Sequence, residues 1–262
     1  MKKLFLTVAA ILAIAFISGC SGSPDDNGGG SKNTNTITQK TIKDAPDAVG
    51  DIVLKDGKAI AYYDGLTLTD QEKADAIAVI FYAGGNSELG NRKLGVGLYQ
   101  ESKTWIGGTG RLGYHRSNAL SETDGLANQN AIEAYSDFSE NNYPAFYWTD
   151  NYDELIPVAW SDASGFGQNW YIPAKKELKK LLDNRNLVNK ALKKVSDSAA
   201  LFKAPTNGIE LWWTSTDATS EDASQARDYL VYTFMLDDTG LFETTTIKQE
   251  NNFRMTCAVH AF

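Results

Sequence analysis

The sequence predicts an α+β fold, in which strands lie toward both ends of the chain and helices lie between them. Four ranges near the end are rich in Trp, Tyr, Phe, Thr and Val, the residue types that suit a half-buried pleated surface. These ranges are residues 209–216, 228–236, 241–249 and 253–262. The helix signals come earlier and do not alternate with strand signals, so a parallel sheet of βα units is not expected.

The earlier part of the chain predicts a hairpin, a further strand and several helices. Residues 50–63 alternate apolar and polar side chains around an Asp-Gly pair, which is typical of a hairpin turn. Thr69 and Glu72 have the spacing of a capping box, which would begin a helix that reaches about Tyr82. The other expected elements are a strand over 94–100, helices over 128–138 and 174–182, a shorter helix from Asn186, and a packed insertion without regular secondary structure over 144–162.

Residues 1–19 have the features of a signal peptide that is removed from the mature protein. A charged start is followed by an apolar stretch that is too short to span a membrane. This stretch ends in Ile-Ser-Gly before Cys20, which resembles a bacterial lipobox, where the cysteine is diacylated after cleavage. Residues 20–48 are then predicted to form a lipidated flexible tether, and residues 49–262 to form the folded domain.

Acyl chains on Cys20 would hold the protein on a bilayer, since each buried CH₂ contributes about 0.8 kcal/mol. We therefore expect a lipid-anchored protein of the bacterial cell envelope, at the outer membrane and exposed at the surface. The residues after Cys20 leave the inner membrane open as an alternative. Cys257 is the other cysteine of the chain, so no disulfide within the mature monomer is predicted.

The charge of the chain excludes a nucleic-acid partner. The whole sequence carries 25 Lys and Arg against 33 Asp and Glu, a net charge of −8, and loss of Lys2 and Lys3 with the signal peptide makes it −10. A chain this acidic offers no basic stripe that could displace counterions from phosphates.

No catalytic residue, cofactor or metal site is predicted. Residues 108–113 match a dinucleotide-binding fingerprint by letter, but no helix signal follows them. Neither His115 nor His260 has a serine or cysteine at the spacing of a catalytic pair, and His260 is expected to be a surface or packed residue. Cys257 lies on an apolar alternation, which is typical of a buried and inert thiol. We therefore predict that the protein is not an enzyme.

The end of the predicted sheet carries more large side chains than one buried face of two strands can hold. These side chains are Tyr229, Tyr232, Phe234, Leu236, Leu241 and Phe242. Some of them should therefore be exposed, and clustered exposed apolar groups mark a contact surface. Alternation along residues 228–236 leaves open which face is buried. The predicted ligand-binding residues are Trp213, Asp217, Arg227, Tyr229, Tyr232, Leu241, Phe242 and Thr244.

Several motifs resemble the C-type lectin fold of the formylglycine-generating-enzyme type. Residues 170–178 are similar to its Trp-x-Leu-Pro-Thr-x-x-Glu-Leu segment, and residues 211–216 to its Tyr-Trp-Ser-Ser-Thr strand. Residues 252–259 are similar to its Gly-Phe-Arg terminus. Ala174 replaces the Thr of the first motif, and His260 replaces an Arg of the last. The paired catalytic cysteines and the calcium-dependent sugar motifs of relatives have no counterpart, which removes those activities from what the resemblance implies.

The N-terminal half extends the resemblance to a narrower family. Residues 49–54 and 76–82 resemble treponemal lipoproteins of this class, the variable proteins of diversity-generating retroelements. The resemblance covers residues 49–262 and implies a C-type lectin fold with mixed or antiparallel sheets, two or more helices and irregular insertions. It also implies that Trp170, Trp212, Phe253 and Arg254 are structural.

In that family, codons near the end of the gene are rewritten at adenines, and the altered residues share one exposed face. The resemblance therefore implies that residues 207–262 form a variable ligand-binding region of a monomeric display protein. Its partner would be a protein or glycan on another cell or on a host. Two alternatives stay open: an enzyme on the same fold, such as an oxidase or iron-dependent oxygenase, and a structural envelope lipoprotein without a specific ligand.

Overall fold

A computed structural model gives the fold of most of the predicted domain. It describes residues 39–85, 88–108, 117–155, 165–197, 199, 201–206, 208–218, 230–249 and 251–262. The predicted signal peptide, Cys20 and most of the tether lie outside these ranges. Arg227, Tyr229 and most of the glycine motif at 108–113 also lie outside them. Within the described part of the chain, no helix has the length and apolar character needed to cross a membrane.

In the part of the chain that the structure describes, nine strands form one mixed sheet. In chain order they are β1 (Ile42–Lys43), β2 (Ile52–Leu54), β3 (Ala59–Ile60), β4 (Ala76–Tyr82), β5 (Leu94–Thr104), β6 (Glu210–Asp217), β7 (Leu230–Leu236), β8 (Leu241–Ile247) and β9 (Phe253–Ala261). Their order across the sheet is β1-β3-β2-β4-β5-β9-β6-β7-β8. Every strand pair among the described residues is antiparallel except β6 with β9. The predicted α+β class is confirmed.

Six helices accompany the sheet in the described residues. They are α1 (Asp70–Asp75), α2 (Gly125–Glu133), α3 (Pro144–Asp150), α4 (Tyr152–Leu155), α5 (Lys175–Asp183) and α6 (Arg185–Val195). The helices predicted from 128, 174 and 186 are present with shifted ends. The prediction of an irregular insertion over 144–162 is wrong for its first part, because α3 and α4 lie there. Pro144 begins α3, where its fixed φ suits the first helical turn.

The helix that begins at Thr69 is much shorter than predicted. The capping box is present: the Thr69 hydroxyl accepts from the Glu72 amide at 3.2 Å, and the Glu72 carboxylate accepts from the Thr69 amide at 2.7 Å. However, α1 ends at Asp75 and the chain continues as β4, in which all seven residues are buried. A short apolar run buried on both sides has no strand periodicity, so it resembles a helix in sequence.

Apolar side chains cover both faces of the sheet. Neighbouring residues of β6 enter different clusters, with Trp212 against α5 and α6 and Trp213 against Trp105 and Phe146. A third cluster contains Trp148, Tyr152 and Trp170 from α3, α4 and the segment before α5. The interior strands are therefore buried on two faces. The prediction from the sequence assumed that only one face of the sheet is buried.

Of the residues predicted to be structural, some are buried and one is exposed. Trp170 and Trp212 are each 1% exposed, as expected of core residues. Phe253 is 57% exposed, so its assignment to the core is wrong. It begins β9, where it pairs with Thr104, the last residue of β5. Arg254 is half-buried, and its Nη1 donates to the Phe253 carbonyl at 2.7 Å.

Candidate functional site

The predicted hairpin near the end of the chain is confirmed. β7 and β8 pair without interruption from Leu230 opposite Ile247 to Leu236 opposite Leu241. In the turn, one carboxylate oxygen of Asp237 accepts from the amides of Thr239 at 2.8 Å and Gly240 at 3.0 Å. These bonds fix the register, so the direction of each side chain on β8 is determined by its place in the pairing.

β8 is an edge strand of the sheet, and none of its residues is buried. It is the last strand in the sheet order, and all seven of its residues are exposed or half-buried, whereas those of β4 are all buried. Phe242 is 43% exposed and Ile247 is 38% exposed. Of the features with which proteins commonly protect a free edge, the strand has one charged residue, Glu243, and no proline, lysine or bulge. The molecule therefore presents an accessible strand at this end.

One side of the hairpin carries an apolar row. Leu211, Met235 and Phe242 lie side by side across β6, β7 and β8, because Leu211 pairs with Met235 and Met235 with Phe242. Thr244 lies two residues beyond Phe242 on the same side. We call these four residues the Phe242 face. All four are half-buried or exposed, so this face combines apolar and hydroxyl groups that a partner can reach.

The opposite side of the hairpin carries Tyr232 and Leu241, both half-buried. The Lys175 ammonium, at the start of α5, lies 4.0 Å from the centre of the Tyr232 ring and 2.8 Å from the Glu243 carboxylate. Burial opposes the charge on Lys175, but hydrogen bonds to Glu243 and Glu122 outweigh it and raise the pKa of the ammonium. Tyr232 and Leu241 therefore lie on the opposite face of the hairpin from Phe242 and Thr244.

Two further predicted contact residues are buried. The Trp213 indole N–H donates to the Lys103 carbonyl at 2.8 Å, and only 1% of the residue is exposed. Asp217 accepts from the amide of Ser117 at 3.1 Å and from its hydroxyl, and forms an ion pair with the fully buried Lys248. The structure thus places both in the interior, because β6 is an internal strand covered on two faces. The prediction that Trp213 and Asp217 belong to an exposed site is therefore wrong.

Two of the large side chains counted as too many for one buried face are in fact buried. Phe234 and Leu236 are 1% and 2% exposed, and Phe234 belongs to the cluster beneath α5 and α6. Of the predicted contact residues that the structure describes, Tyr232, Leu241, Phe242 and Thr244 are accessible. Arg227 and Tyr229 lie outside the described residues.

A cavity lies at another part of the molecule, beside Tyr147 and Trp148, the region that the sequence leaves as an alternative binding surface. It measures about 360 Å³ and lies between β5 and the α3–α4 segment. Its lining residues are Glu101, Lys103, Glu140, Pro144, Tyr147, Trp148, Asn151 and Glu154. The aromatic pair at 147 and 148 was visible in sequence. The side of β5 that faces the cavity was not visible, because Lys103 and Pro144, the first residue of α3, are about 40 residues apart along the chain.

The Cys257 thiol and the His260 imidazole, the two side chains that could act as nucleophile or base, are buried in different places. Cys257 belongs to the cluster beneath α5 and α6, and burial raises the pKa of its thiol. His260 packs against the rings of Phe166, Trp170 and Phe262, and burial lowers its pKa to about 4. No group of three or more His, Cys, Asp or Glu residues in the described ranges is arranged to hold a metal ion.

Comparison with known proteins gives one structural likeness. No protein-family model matches the chain, and a search of curated proteins found no relative. The chain is similar to the crystal structure of a fimbrial protein from Bacteroides ovatus, with a TM-score of 0.55 and 16% sequence identity. The match covers 82% of this chain and 49% of that protein, so the chain spans about half its length. At this identity the likeness concerns the fold alone.

Proposed function

We propose that this chain is a lipid-anchored surface protein of the bacterial envelope that binds a macromolecular ligand, a protein or a glycan. The proposed fold is the C-type lectin fold of the formylglycine-generating-enzyme type. The observation that carries the proposal is β8, whose residues remain accessible on both faces, whereas four of the seven residues of β7 and six of the eight of β6 are buried. The Phe242 face is the proposed contact surface.

The composition of the Phe242 face supports this role. Contact surfaces commonly have an apolar centre surrounded by polar groups. Here Leu211, Met235 and Phe242 supply the apolar row, and Thr244 supplies a hydroxyl beside it. Exposed positions of this kind also tolerate substitution at a cost of about 0.5 kcal/mol or less. The proposed sequence variation in residues 207–262 would therefore be compatible with one stable fold where it falls on such positions.

A second candidate is a structural component of a surface assembly. It is favoured by the description of the similar structure as a fimbrial protein. Sequencing the gene across one population distinguishes the two candidates. Codon diversity confined to residues 207–262 supports the variable binding protein, and a uniform sequence supports the structural component.

The contact surface is tested by binding. Residues 39–262 are immobilised and incubated with extracts of neighbouring bacteria and of host cells, and the retained ligand is identified. The double variant Phe242→Asp, Thr244→Asp should lose this ligand while its melting temperature stays close to that of the unmodified domain. The matched control is Ile42→Asp on β1, at the opposite end of the sheet, where Ile42 is 55% exposed.

The control should retain the ligand. Equal retention by the double variant and the control would show that the Phe242 face is not the binding surface. Unfolding of the double variant would show that these side chains belong to the core.

A further inference from the structure

We propose that Lys248 and Asp217 are joined by an amide bond between the lysine Nζ and the aspartate Cγ, formed with loss of one water molecule. The bond would link the last residue of β6 to the residue that follows β8. It is a covalent modification within the chain and needs no ligand, so it does not rest on the proposed binding function.

The register of the sheet brings the two side chains together. Asp217 pairs with Val231, and Val231 pairs with Thr246, so these three residues lie side by side across β6, β7 and β8. Lys248 comes two residues after Thr246, and alternation directs its side chain to the same side of the sheet. The proposed bond therefore passes over Val231, which is fully buried, and spans the width of β7.

The lysine is held in a site that is closed to solvent. Its side chain is 0% exposed, and that of Asp217 is 9% exposed. The Lys248 Nζ lies 4.5 Å from the centre of the Trp105 ring, which is buried as well. The Trp105 indole N–H donates to the Thr214 carbonyl at 3.0 Å, which fixes the position of the ring. Nζ is therefore confined between an aromatic ring and the Asp217 carboxyl group.

This contact is poorly satisfied as an ion pair. A buried ion pair offsets the cost of desolvation only where hydrogen bonds satisfy the remaining lone pairs. Asp217 Oδ1 is the oxygen that Nζ contacts, yet it is buried and accepts no hydrogen bond from the described residues. Ammonium and carboxylate are also the forms that hydration stabilises, and this hydration is lost here. Conversion to an amide removes both buried charges.

The chemistry balances within the pair. Burial favours transfer of a proton from the ammonium to the carboxylate, which gives a neutral amine and a neutral carboxylic acid. The Nζ lone pair then attacks Cγ and forms the C–N bond. The Cγ–Oδ1 bond breaks and its electron pair stays on Oδ1, which leaves as water with the carboxyl proton and one proton from Nζ. The step consumes no oxidant or reductant.

Ser117 is placed to stabilise the intermediate. When Nζ attacks, negative charge develops on Oδ2, the other oxygen of Asp217. That oxygen accepts from the Ser117 amide at 3.1 Å and from the Ser117 hydroxyl. Fixed donors at a developing oxyanion stabilise the tetrahedral intermediates of acyl transfer. The lysine, the aspartate and the serine therefore supply the nucleophile, the acyl group and the oxyanion donors.

The bond is tested by peptide mapping of the full-length chain, which is purified in its folded form, denatured and cleaved after glutamate. This cleavage releases residues 211–221, which contain Asp217, and residues 244–250, which contain Lys248. Mass spectrometry should find the two peptides joined, at the sum of their masses less one water. Fragmentation should locate the bond between Lys248 and Asp217. Recovery of the two peptides only as separate species overturns the proposal.

A substitution at the lysine supplies the control. Lys248→Arg keeps a cation at the site but replaces the amine by a guanidinium, so the joined peptide should be absent. The matched variant is Lys43→Arg, at another ion pair with a buried aspartate, Asp51, and it should retain the joined peptide. A joined peptide in Lys248→Arg would overturn the assignment of the bond to Lys248. If this variant does not fold, the map of the unmodified chain decides alone.

The role of Ser117 is tested by the rate of bond formation. Ser117→Ala removes one of the two oxyanion donors and should slow the appearance of the joined peptide after cell-free synthesis by about tenfold or more. The final joined fraction should equal that of the unmodified chain, which shows that the variant folds. An unchanged rate would overturn the role given to the serine hydroxyl.

Discussion

Replacing Glu177 by Ala removes an acceptor on which four donors converge. The Glu177 side chain is fully buried in the first turn of α5. Its carboxylate accepts from the amides of Ala174 at 2.8 Å and Gly125 at 3.1 Å, from the Arg92 guanidinium at 2.8 Å and from the Tyr171 hydroxyl at 3.3 Å. The donors come from α2, from the segment before β5 and from the segment before α5, so one carboxylate joins three parts of the chain.

The cost of the substitution follows from the donors left behind. Arg92 keeps two backbone carbonyl acceptors, but the amides of Gly125 and Ala174 lose their carboxylate partner. A buried donor left without a partner costs about 1–3 kcal/mol. Together with the space left by the side chain, Glu177→Ala should lower the free energy of unfolding by roughly 3–5 kcal/mol. In a domain of this size that is a fall of roughly 10 °C in the melting temperature.

Thermal unfolding of residues 39–262, followed by circular dichroism at pH 7, measures this fall. The matched control is Asp183→Ala, which removes an exposed carboxylate from the other end of the same helix and should cost about 0.5 kcal/mol or less. A melting temperature for Glu177→Ala within two or so degrees of the control would refute the reasoning that the buried carboxylate holds these segments together.

The pH dependence gives a second measurement on the same residue. Burial raises the pKa of Glu177 to about 7, above its ordinary value of 4.5. The folded state therefore binds more protons than the unfolded state between these values, so the proton-linked part of the stability from Glu177 is complete below pH 4.5 and is lost as the pH rises toward 7, whereas its hydrogen bonds to the amides remain. The loss is about 3 kcal/mol. In Glu177→Gln this part of the pH dependence should be absent, and the gap to the unmodified domain should narrow with rising pH.

Three other substitutions test the anchor, the core and a helix end. Cys20→Ser should release the protein from the membrane fraction, and full retention there would contradict lipid anchoring. Trp212→Ala should cost about 3–5 kcal/mol in unfolding free energy, whereas Phe253→Ala, at an exposed position, should cost about 0.5 kcal/mol or less; equal melting temperatures would contradict this contrast. Ala174→Ser should raise the stability by about 1 kcal/mol, because Ala174 has the extended conformation of a helix cap but no side-chain acceptor; an unchanged or lower melting temperature would show that the hydroxyl does not cap α5.

The local signals in the sequence predicted local structure well. The Asp-Gly hairpin, the Thr69 capping box and the turn at Asp237 are all present, because each depends on a few neighbouring residues whose side chains bond to nearby backbone. The wrong prediction over residues 76–82 has a different origin. A strand that is buried on both faces has no alternation, so the burial that decides its conformation comes from β2, β5 and the helices above them.

The candidate site was predictable in region but not in detail. The sequence indicated that large side chains near the end of the chain would be exposed, and Phe242 is. It could not show that Trp213 and Asp217 are covered, because their partners Lys103 and Ser117 are about 100 residues away along the chain. Phe253 was assigned to the core from its motif, but its position at the start of β9 leaves it 57% exposed, and the motif carries no information on that exposure.

The position of β9 has a consequence for synthesis of the protein on the ribosome. It is made after the other eight strands, yet it lies between β5 and β6 in the middle of the sheet. Until residues 253–261 emerge, β1 to β5 and β6 to β8 are two separate groups of strands that have no hydrogen-bonded neighbour in common. Completion of the sheet therefore has to wait until β9 has been made, and a chain stopped before residue 253 would expose the inner edges of both groups to proteases.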